Sequence, residues 1–268
     1  MKLVIGIVRP EKANDVLEAL FRADVRGFSL SRVQGHGGEL DRVETYRGPA
    51  QILRSISLTL GAGESVCLVG RNGAGKTTTI DTIMGLLPAR SGAVRFQGRD
   101  VTRLPAHQRA RLGIGYAPED CGVFPDLTVE ENFQITAWIG HDAAAVTAED
   151  SVFAIFPEIK EFLTRRGLHL SGGQKKMLAI TRALTLKPTV LLLDEPFEGL
   201  APVVVTRFIE AVRAIKALGV SVLIAESHVQ NAGRIADRLY AIDRGEIIFA
   251  GRPAELTGNA EVMKTLHG

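Results

Sequence analysis

A glycine-rich segment, GRNGAGKTT at residues 70–78, carries the residue types that bind phosphate. It fits the pattern G-x-x-x-x-G-K-[ST], in which glycines let backbone N–H groups turn towards phosphate oxygens. The lysine reaches the β- and γ-phosphates of a nucleotide, and the next hydroxyl binds Mg²⁺. The alternative is a glycine-rich turn between a strand and a helix. The predicted nucleotide-binding residues are Gly70, Asn72, Gly73, Gly75, Lys76, Thr77 and Thr78, with Thr77 also a metal ligand.

A second candidate anion-binding element follows much later, in LSGGQ at residues 170–174. Small residues near a predicted helix start leave backbone N–H groups free to face an anion. One nucleotide rarely needs two such elements from one chain, whereas two chains facing head to tail would exchange them. The predicted residues of this element are Ser171, Gly172, Gly173 and Gln174.

Two adjacent acids, Asp194 and Glu195, follow the apolar run VLLL at residues 190–193. Burying unpaired carboxylates costs free energy, so a buried strand has no structural use for them. At the carboxyl end of a parallel strand they would lie in the ligand crevice. Asp194 then suits the Mg²⁺ shell, and Glu195 suits polarising the attacking water. The alternative is a solvated strand end.

His228 follows a further apolar run, VSVLIA at residues 220–225. A lone histidine after a strand is more often a surface or core residue than a catalytic one. Its position one strand beyond the acids favours a catalytic role, contact with the γ-phosphate.

The elements that would position these residues alternate between strands and helices, which predicts an α/β fold. Residues 65–69 predict a strand that enters the glycine-rich loop, and residues 76–86 the helix that leaves it. Residues 126–166 form a mostly helical insertion, and the tail from Tyr240 predicts two short strands and a terminal helix.

Taken in order, GRNGAGKTT, LSGGQ, LLLDEP and the His228 segment resemble the ATP-binding subunit of an ABC transporter over residues 41–268. The resemblance implies a P-loop ATPase domain with a parallel core sheet, an antiparallel β subdomain and a helical subdomain at about residues 126–170. It also implies two subunits that sandwich two ATP molecules, with Ser171 and Gly173 of each closing the other's site. Residues 198–202 match the loop through which the two sites communicate, and Tyr46 is the candidate that stacks on adenine.

This chain departs from that family at two positions. Arg47 separates Tyr46 from Gly48, where the family commonly has a Tyr-Gly pair, so either Tyr46 or Arg47 is the stacking residue. Glu119 stands where most relatives have a Gln that contacts Mg²⁺ and water. A carboxylate there reaches the metal or accepts from water but donates no hydrogen bond.

The phrases YAPEDCGVFPDLTVEEN and DEPFEGLAP resemble ATPases of importers for branched-chain amino acids, amides and urea. The resemblance implies transmembrane permease subunits, a second ATPase subunit (identical or different) and, indirectly, an extracytoplasmic solute-binding protein. It places the chain on the cytoplasmic face of the inner membrane as a peripheral, ATP- and Mg²⁺-dependent enzyme.

Composition agrees with these expectations. The net charge of +2 is too mild to indicate nucleic acid, and no basic block with interleaved aromatics occurs. Cys67 and Cys121 lack metal-like spacing, which favours a reducing cytoplasm. No apolar run approaches the roughly 18 residues of a spanning helix, and the N-terminus lacks a signal-peptide pattern.

Residues 1–40 do not fit the ATPase pattern and predict a β-α-β, ferredoxin-like half. This segment resembles the first half of a PII nitrogen-regulatory protein in the stretches IVRPEK, VRGF and QGHG and at residues 44–48. Tyr46 therefore matches a motif of both families. That family's second half has no counterpart here, and Gly38-Glu39 replaces its Arg-Gln, so we expect no working PII effector site. About 40 residues cannot bury a core alone. The segment borrows a strand, pairs with a second subunit, or is a fusion remnant.

Two further functions stay open on sequence grounds. One is a soluble ABC-type ATPase that acts on nucleic acid or ribosomes without a permease. It predicts a long coiled-coil insertion or a second ATPase unit, and neither fits in this chain. The other is a regulatory fusion, in which residues 1–40 adjust ATPase activity to nitrogen status.

Overall fold

The computed structural model describes Leu53 and residues 56–139 and 150–267. Its strands are β1 (Ser65–Val69), β2 (Arg95–Phe96), β3 (Arg99–Asp100), β4 (Ile114–Ala117), β5 (Val190–Asp194), β6 (Ser221–Glu226), β7 (Arg238–Asp243) and β8 (Glu246–Gly251). Its helices are α1 (Lys76–Met84), α2 (Ala106–Arg111), α3 (Val129–Ile139), α4 (Asp150–Phe153), α5 (Gly172–Leu184), α6 (Pro202–Ala217), α7 (Val229–Ile235), α8 (Pro253–Thr257) and α9 (Ala260–His267). Two 3₁₀ turns lie between α4 and α5, at Pro157–Phe162 and Gly167–His169.

A six-stranded sheet with the order β4-β5-β6-β1-β7-β8 forms the centre of the described chain. Its first five strands are parallel, and β8 pairs antiparallel with β7. The register pairs Val69 with Glu226 and Asp194 with Ala225, so β1, β5 and β6 end close to one another. The residues that follow these strands therefore share one edge of the sheet.

Both faces of the sheet are covered, which explains the continuous apolar runs in β1 and β5. Cys67 and Val69 face the larger core, which includes Phe156 of the helical insertion and Phe208 of α6. Val66 and Leu68 face the smaller core with Ile80 of α1.

Strand β1 and the start of α1 agree with the sequence analysis, whereas several other boundaries differ by one or two residues. Helix α1 ends at Met84 rather than Leu86, because Gly85 adopts a left-handed conformation with φ 82° and caps the helix. Strand β6 extends to Glu226 because that residue pairs with Val69.

The antiparallel part is represented in the described chain by the short pair β2–β3. The helical insertion is represented by α3, α4 and the two 3₁₀ turns. The predicted β-α-β half at residues 1–40 and the predicted adenine contact at Tyr46 lie outside the described residues. Within the described ranges, no helix is both long and apolar enough to span a bilayer.

Candidate nucleotide-binding site

The glycine-rich loop connects β1 to α1, as its sequence predicts. Gly73 and Gly75 have φ of 84° and 110°, a backbone region that favours glycine. A Cβ atom at Gly70 would lie 2.5 Å from the carbonyl oxygen of Ile242. Gly75 is the N-cap of α1 and supplies no side-chain hydrogen bond to it. The N–H groups of the first turn of α1 thus form an anion-binding helix terminus.

Lys76 lies in this first turn with its side chain 5% exposed. Its Nζ atom donates to the carbonyl oxygens of Gly70 at 2.8 Å and Arg71 at 3.1 Å. Nζ is also 3.0 Å from Glu195 Oε1 and 3.0 Å from Ser227 Oγ. A buried ammonium group held at the mouth of a phosphate-type loop is placed to neutralise phosphate charge.

Glu195 leaves the end of β5 in a left-handed conformation, with φ 45°. Its backbone N–H donates to Ala225 O at 3.0 Å, and its carbonyl oxygen accepts from Lys176. These bonds fix the turn, which directs the carboxylate to Lys76 and Ser227.

Asp194 is 2% exposed, and neither of its carboxylate oxygens has a hydrogen-bond partner among the described residues. Burial raises its pKa to about 6, despite the nearby Thr77 hydroxyl, and the carboxylates of Glu119 and Glu195 act in the same direction. An orphaned buried carboxylate costs free energy unless a cation or donor satisfies it. Asp194 and the exposed Thr77 hydroxyl therefore offer a pair of oxygen ligands beside the loop.

Glu119 lies two residues after β4 with an exposed side chain. Partial burial and the neighbouring carboxylates of Glu198 and Glu195 raise its pKa. Glu119 thus belongs to the same acidic group as Glu195, at the edge of the sheet where β4 and β5 end.

The LSGGQ segment lies at the start of α5, which confirms the predicted helix start. Ser171 is its N-cap: Ser171 Oγ accepts from Gln174 N at 3.3 Å, and Gln174 Oε1 accepts from Ser171 N at 2.9 Å. This capping box uses the Gln174 side chain within its own helix. Ser171 and Gly172 are exposed, so this helix start faces outward, whereas Lys76 and Glu195 contact each other.

The segment after β6 contributes a residue that the sequence analysis missed. The Ser227 hydroxyl is 2.5 Å from Glu195 Oε1, 2.9 Å from Asn72 Oδ1 and 3.0 Å from Lys76 Nζ. The His228 ring instead contacts Glu226 Oε1 at 3.1 Å, and its side chain is 63% exposed. Glu226 at the end of β6 pairs with Val69 at the end of β1, so Ser227 lies beside the start of the glycine-rich loop. This strand register is the feature that identifies Ser227 as a site residue.

The geometry defines a nucleotide-binding α/β ATPase, and comparisons with known proteins specify its family. The family model for ABC transporters matches residues 53–198, and the model for nitrogen regulatory protein P-II matches residues 1–64. The chain belongs to the ABC transporter ATP-binding family and is an ATPase.

Individual relatives support the same family assignment. The high-affinity branched-chain amino acid transport ATP-binding protein BraG of Pseudomonas aeruginosa is 38% identical over 228 residues, covering 85% of this chain and 98% of BraG. The lipopolysaccharide export system ATP-binding protein LptB of Escherichia coli K12 is 34% identical, covering 84% of this chain and 94% of LptB. A crystal structure of a nucleotide-free ATP-binding cassette from an ABC transporter is 27% identical, with a TM-score of 0.71, covering 81% of this chain and 92% of that one.

Proposed function

We propose that this chain is the ATP-hydrolysing subunit of an importer for branched-chain amino acids, amides or urea. It works as a head-to-tail dimer on transmembrane permease subunits at the cytoplasmic face of the membrane. The observation that carries the enzymatic part is the buried contact between Lys76 and Glu195, beside the glycine-rich loop. The similarity to BraG supports the cargo class.

ATP binding would begin when phosphate replaces Glu195 as the partner of Lys76. Its ammonium group is paired with Glu195 and with two loop carbonyls, so its charge is already held where the β- and γ-phosphates would lie. Backbone N–H groups of Gly73, Gly75 and the first turn of α1, with Thr78, would hold the other phosphate oxygens. Phosphate competes with Glu195 for Lys76 and releases the carboxylate.

The released Glu195 carboxylate would then orient and polarise the attacking water. Charge on the transferred phosphoryl group would be offset by Lys76 and by backbone N–H groups at Ser171 and Gly173 of a second copy. The exposed start of α5 is compatible with this exchange between subunits. His228 would contact the γ-phosphate only after its ring leaves Glu226.

Mg²⁺ fits the donor set of this chain. Asp194 has two unsatisfied buried oxygens, and Thr77 and Glu119 supply further oxygen donors. Mg²⁺ commonly takes one or two protein carboxylates and completes its shell with phosphate and water. The ion would supply neutralisation of phosphate charge.

Hydrolysis would be coupled to transport through the two site segments that approach Glu195. Glu119 and the Glu198–Pro202 segment flank the acids, so each is placed to transmit the state of the γ-phosphate to a permease or to the second subunit. The cargo would be selected by the permease and its extracytoplasmic solute-binding protein.

The match of residues 1–64 to a P-II model supports a second, regulatory role for the N-terminal segment. We propose that residues 1–40 adjust ATPase turnover or permease binding to nitrogen status. A change in turnover after their deletion supports this role, and unchanged turnover and partners make the segment a passenger.

Co-purification tests the transport assignment. Tagged full-length and 41–268 chains are expressed in the native host, and proteins retained after detergent solubilisation of membranes are identified. We expect multi-spanning subunits with both forms, because the ATPase residues lie beyond residue 41. Recovery of ribosomes or soluble proteins alone contradicts the transporter function. A partner retained only by the full-length chain assigns a docking role to residues 1–40.

A further inference from the structure

The Glu195 carboxylate is held on both oxygens by one residue. The Ser227 hydroxyl donates to Oε1 at 2.5 Å, and the Ser227 backbone N–H donates to Oε2 at 3.1 Å. The remaining partner of this carboxylate in the described chain is Lys76, at 3.0 Å from Oε1. Two donors from one residue fix both the position and the plane of the carboxylate.

The proposed reaction removes one of these partners. Phosphate binds Lys76 more strongly than the Glu195 carboxylate does, so the ion pair between Lys76 and Glu195 is lost when ATP binds. A carboxylate left without a donor would adopt several rotamers and would lose the geometry that orients water. Ser227 keeps its two contacts because neither involves Lys76.

We propose that Ser227 is the positioning residue for Glu195, the residue that keeps the carboxylate aligned on water once Lys76 has turned to phosphate. The hydroxyl also lies 2.9 Å from Asn72 Oδ1, so it joins the end of β6 to the glycine-rich loop. The Ser227 hydroxyl has one proton to donate. It donates this proton to the Glu195 oxygen, because that acceptor is charged and is the nearer of the two. Lys76 Nζ donates to a lone pair of the same Oγ atom at 3.0 Å.

This assignment rests on the proposed function and separates two adjacent residues of the same segment. Ser227 contacts Lys76, Glu195 and Asn72, whereas His228 contacts Glu226 and is exposed. The hydroxyl, rather than the imidazole, is therefore the side-chain group of this segment that acts on Glu195.

The test compares Ser227→Ala with Ser221→Ala in the full-length chain. Ser221 begins β6, the strand that ends just before Ser227; it is 5% exposed and accepts from Gly63 N at 2.9 Å, away from the site. Losing a hydrogen bond to a charged group slows turnover about tenfold to a hundredfold. We expect Ser227→Ala to lower kcat by that factor, to leave the KM for ATP within about threefold, and to accumulate an ATP-bound dimer. Ser221→Ala should keep kcat within about twofold of wild type.

Glu195→Gln and His228→Ala distinguish the possible failures. Loss of turnover in Glu195→Gln with wild-type kcat in Ser227→Ala overturns the assignment of Ser227 alone, most clearly if His228→Ala is the slow variant. Equal loss of kcat and ATP affinity in Ser227→Ala also overturns it, because a positioning residue acts after binding. Wild-type turnover in Glu195→Gln removes Glu195 from its proposed catalytic role, on which the assignment of Ser227 rests.

Discussion

Individual residues of the site carry charges that the fold leaves only partly compensated. Lys76 and Glu195 neutralise each other in an almost fully buried pair, at 3.0 Å. Asp194, next in sequence to Glu195, has no such partner among the described residues. Burying a carboxylate without a partner lowers the stability of the protein, and cation-binding sites commonly contain such unpaired carboxylates. At Asp194, stability and the proposed metal binding therefore oppose each other.

Asp194→Asn is predicted to stabilise the protein when nucleotide and metal are removed. The folded-state pKa of about 6 lies above the ordinary aspartate pKa of 3.8, so ionised Asp194 lowers stability above pH 6, and this loss disappears as the pH falls below 4. The amide keeps the volume and removes the charge. We expect a gain of about 2–3 kcal/mol at pH 8, which raises Tm by roughly 4–10 °C and falls to about half by pH 5.

Thermal unfolding in EDTA at the two pH values checks this prediction. Asp126→Asn, at an exposed position, is the control and should leave Tm nearly unchanged. A lower Tm for Asp194→Asn at pH 8 would mean that the ionised carboxylate is compensated within the protein.

Among the helices, α1 determines where the phosphate groups would lie, since it begins at Lys76. Its far end is fixed by Arg109 of α2, which is 2% exposed. The Arg109 Nη1 atom donates to Thr82 O at 2.8 Å and Ile83 O at 2.7 Å, which are terminal carbonyls of α1. Nε and Nη2 donate to Leu104 O and Thr102 O, both at 2.8 Å. One guanidinium group thus satisfies four carbonyls and places positive charge at a helix C-terminus.

Arg109→Ala is predicted to destabilise the protein by about 3 kcal/mol, because buried carbonyls lose their donor and a cavity forms. Denaturant unfolding measures this, with Arg111→Ala as the control in the same helix. Arg111 is exposed, and its removal should change stability by no more than about 0.5 kcal/mol. Similar midpoints for the two variants would argue against Arg109 as the cap of α1.

Sequence patterns predicted β1, β5, β6 and the glycine-rich loop well, because apolar runs and glycine spacing can be recognised within a short stretch of sequence. They did not predict β4 as a strand. They did not find Ser227 or Arg109. Ser227 acts through the register of β6 beside β1, and Arg109 acts through carbonyls that are distant in sequence. Such contacts depend on where whole elements pack. His228 was the more conspicuous residue type, but the structure directs its ring to Glu226.

At the scale of the whole molecule, the two segments proposed to bind phosphate have different environments. The loop at Lys76 is lined by buried catalytic-type residues, whereas the start of α5 at Ser171 and Gly172 is exposed. An exposed, capped helix N-terminus is available to a nucleotide held by another copy. We propose that each site combines Lys76 of one subunit with Ser171 and Gly173 of the other.

Complementation between two inactive variants tests this claim most directly. Lys76→Ala removes the phosphate-binding charge. Gly172→Asp places a carboxylate opposite the partner's nucleotide, and a Cβ atom at Gly172 meets nothing within 4 Å, so the fold should tolerate it. A mixed dimer contains one site with intact Lys76 and an intact α5 start. We expect that mixing the two chains restores ATP turnover well above that of either chain alone. Mixed dimers that form but stay inactive would contradict sites shared between subunits.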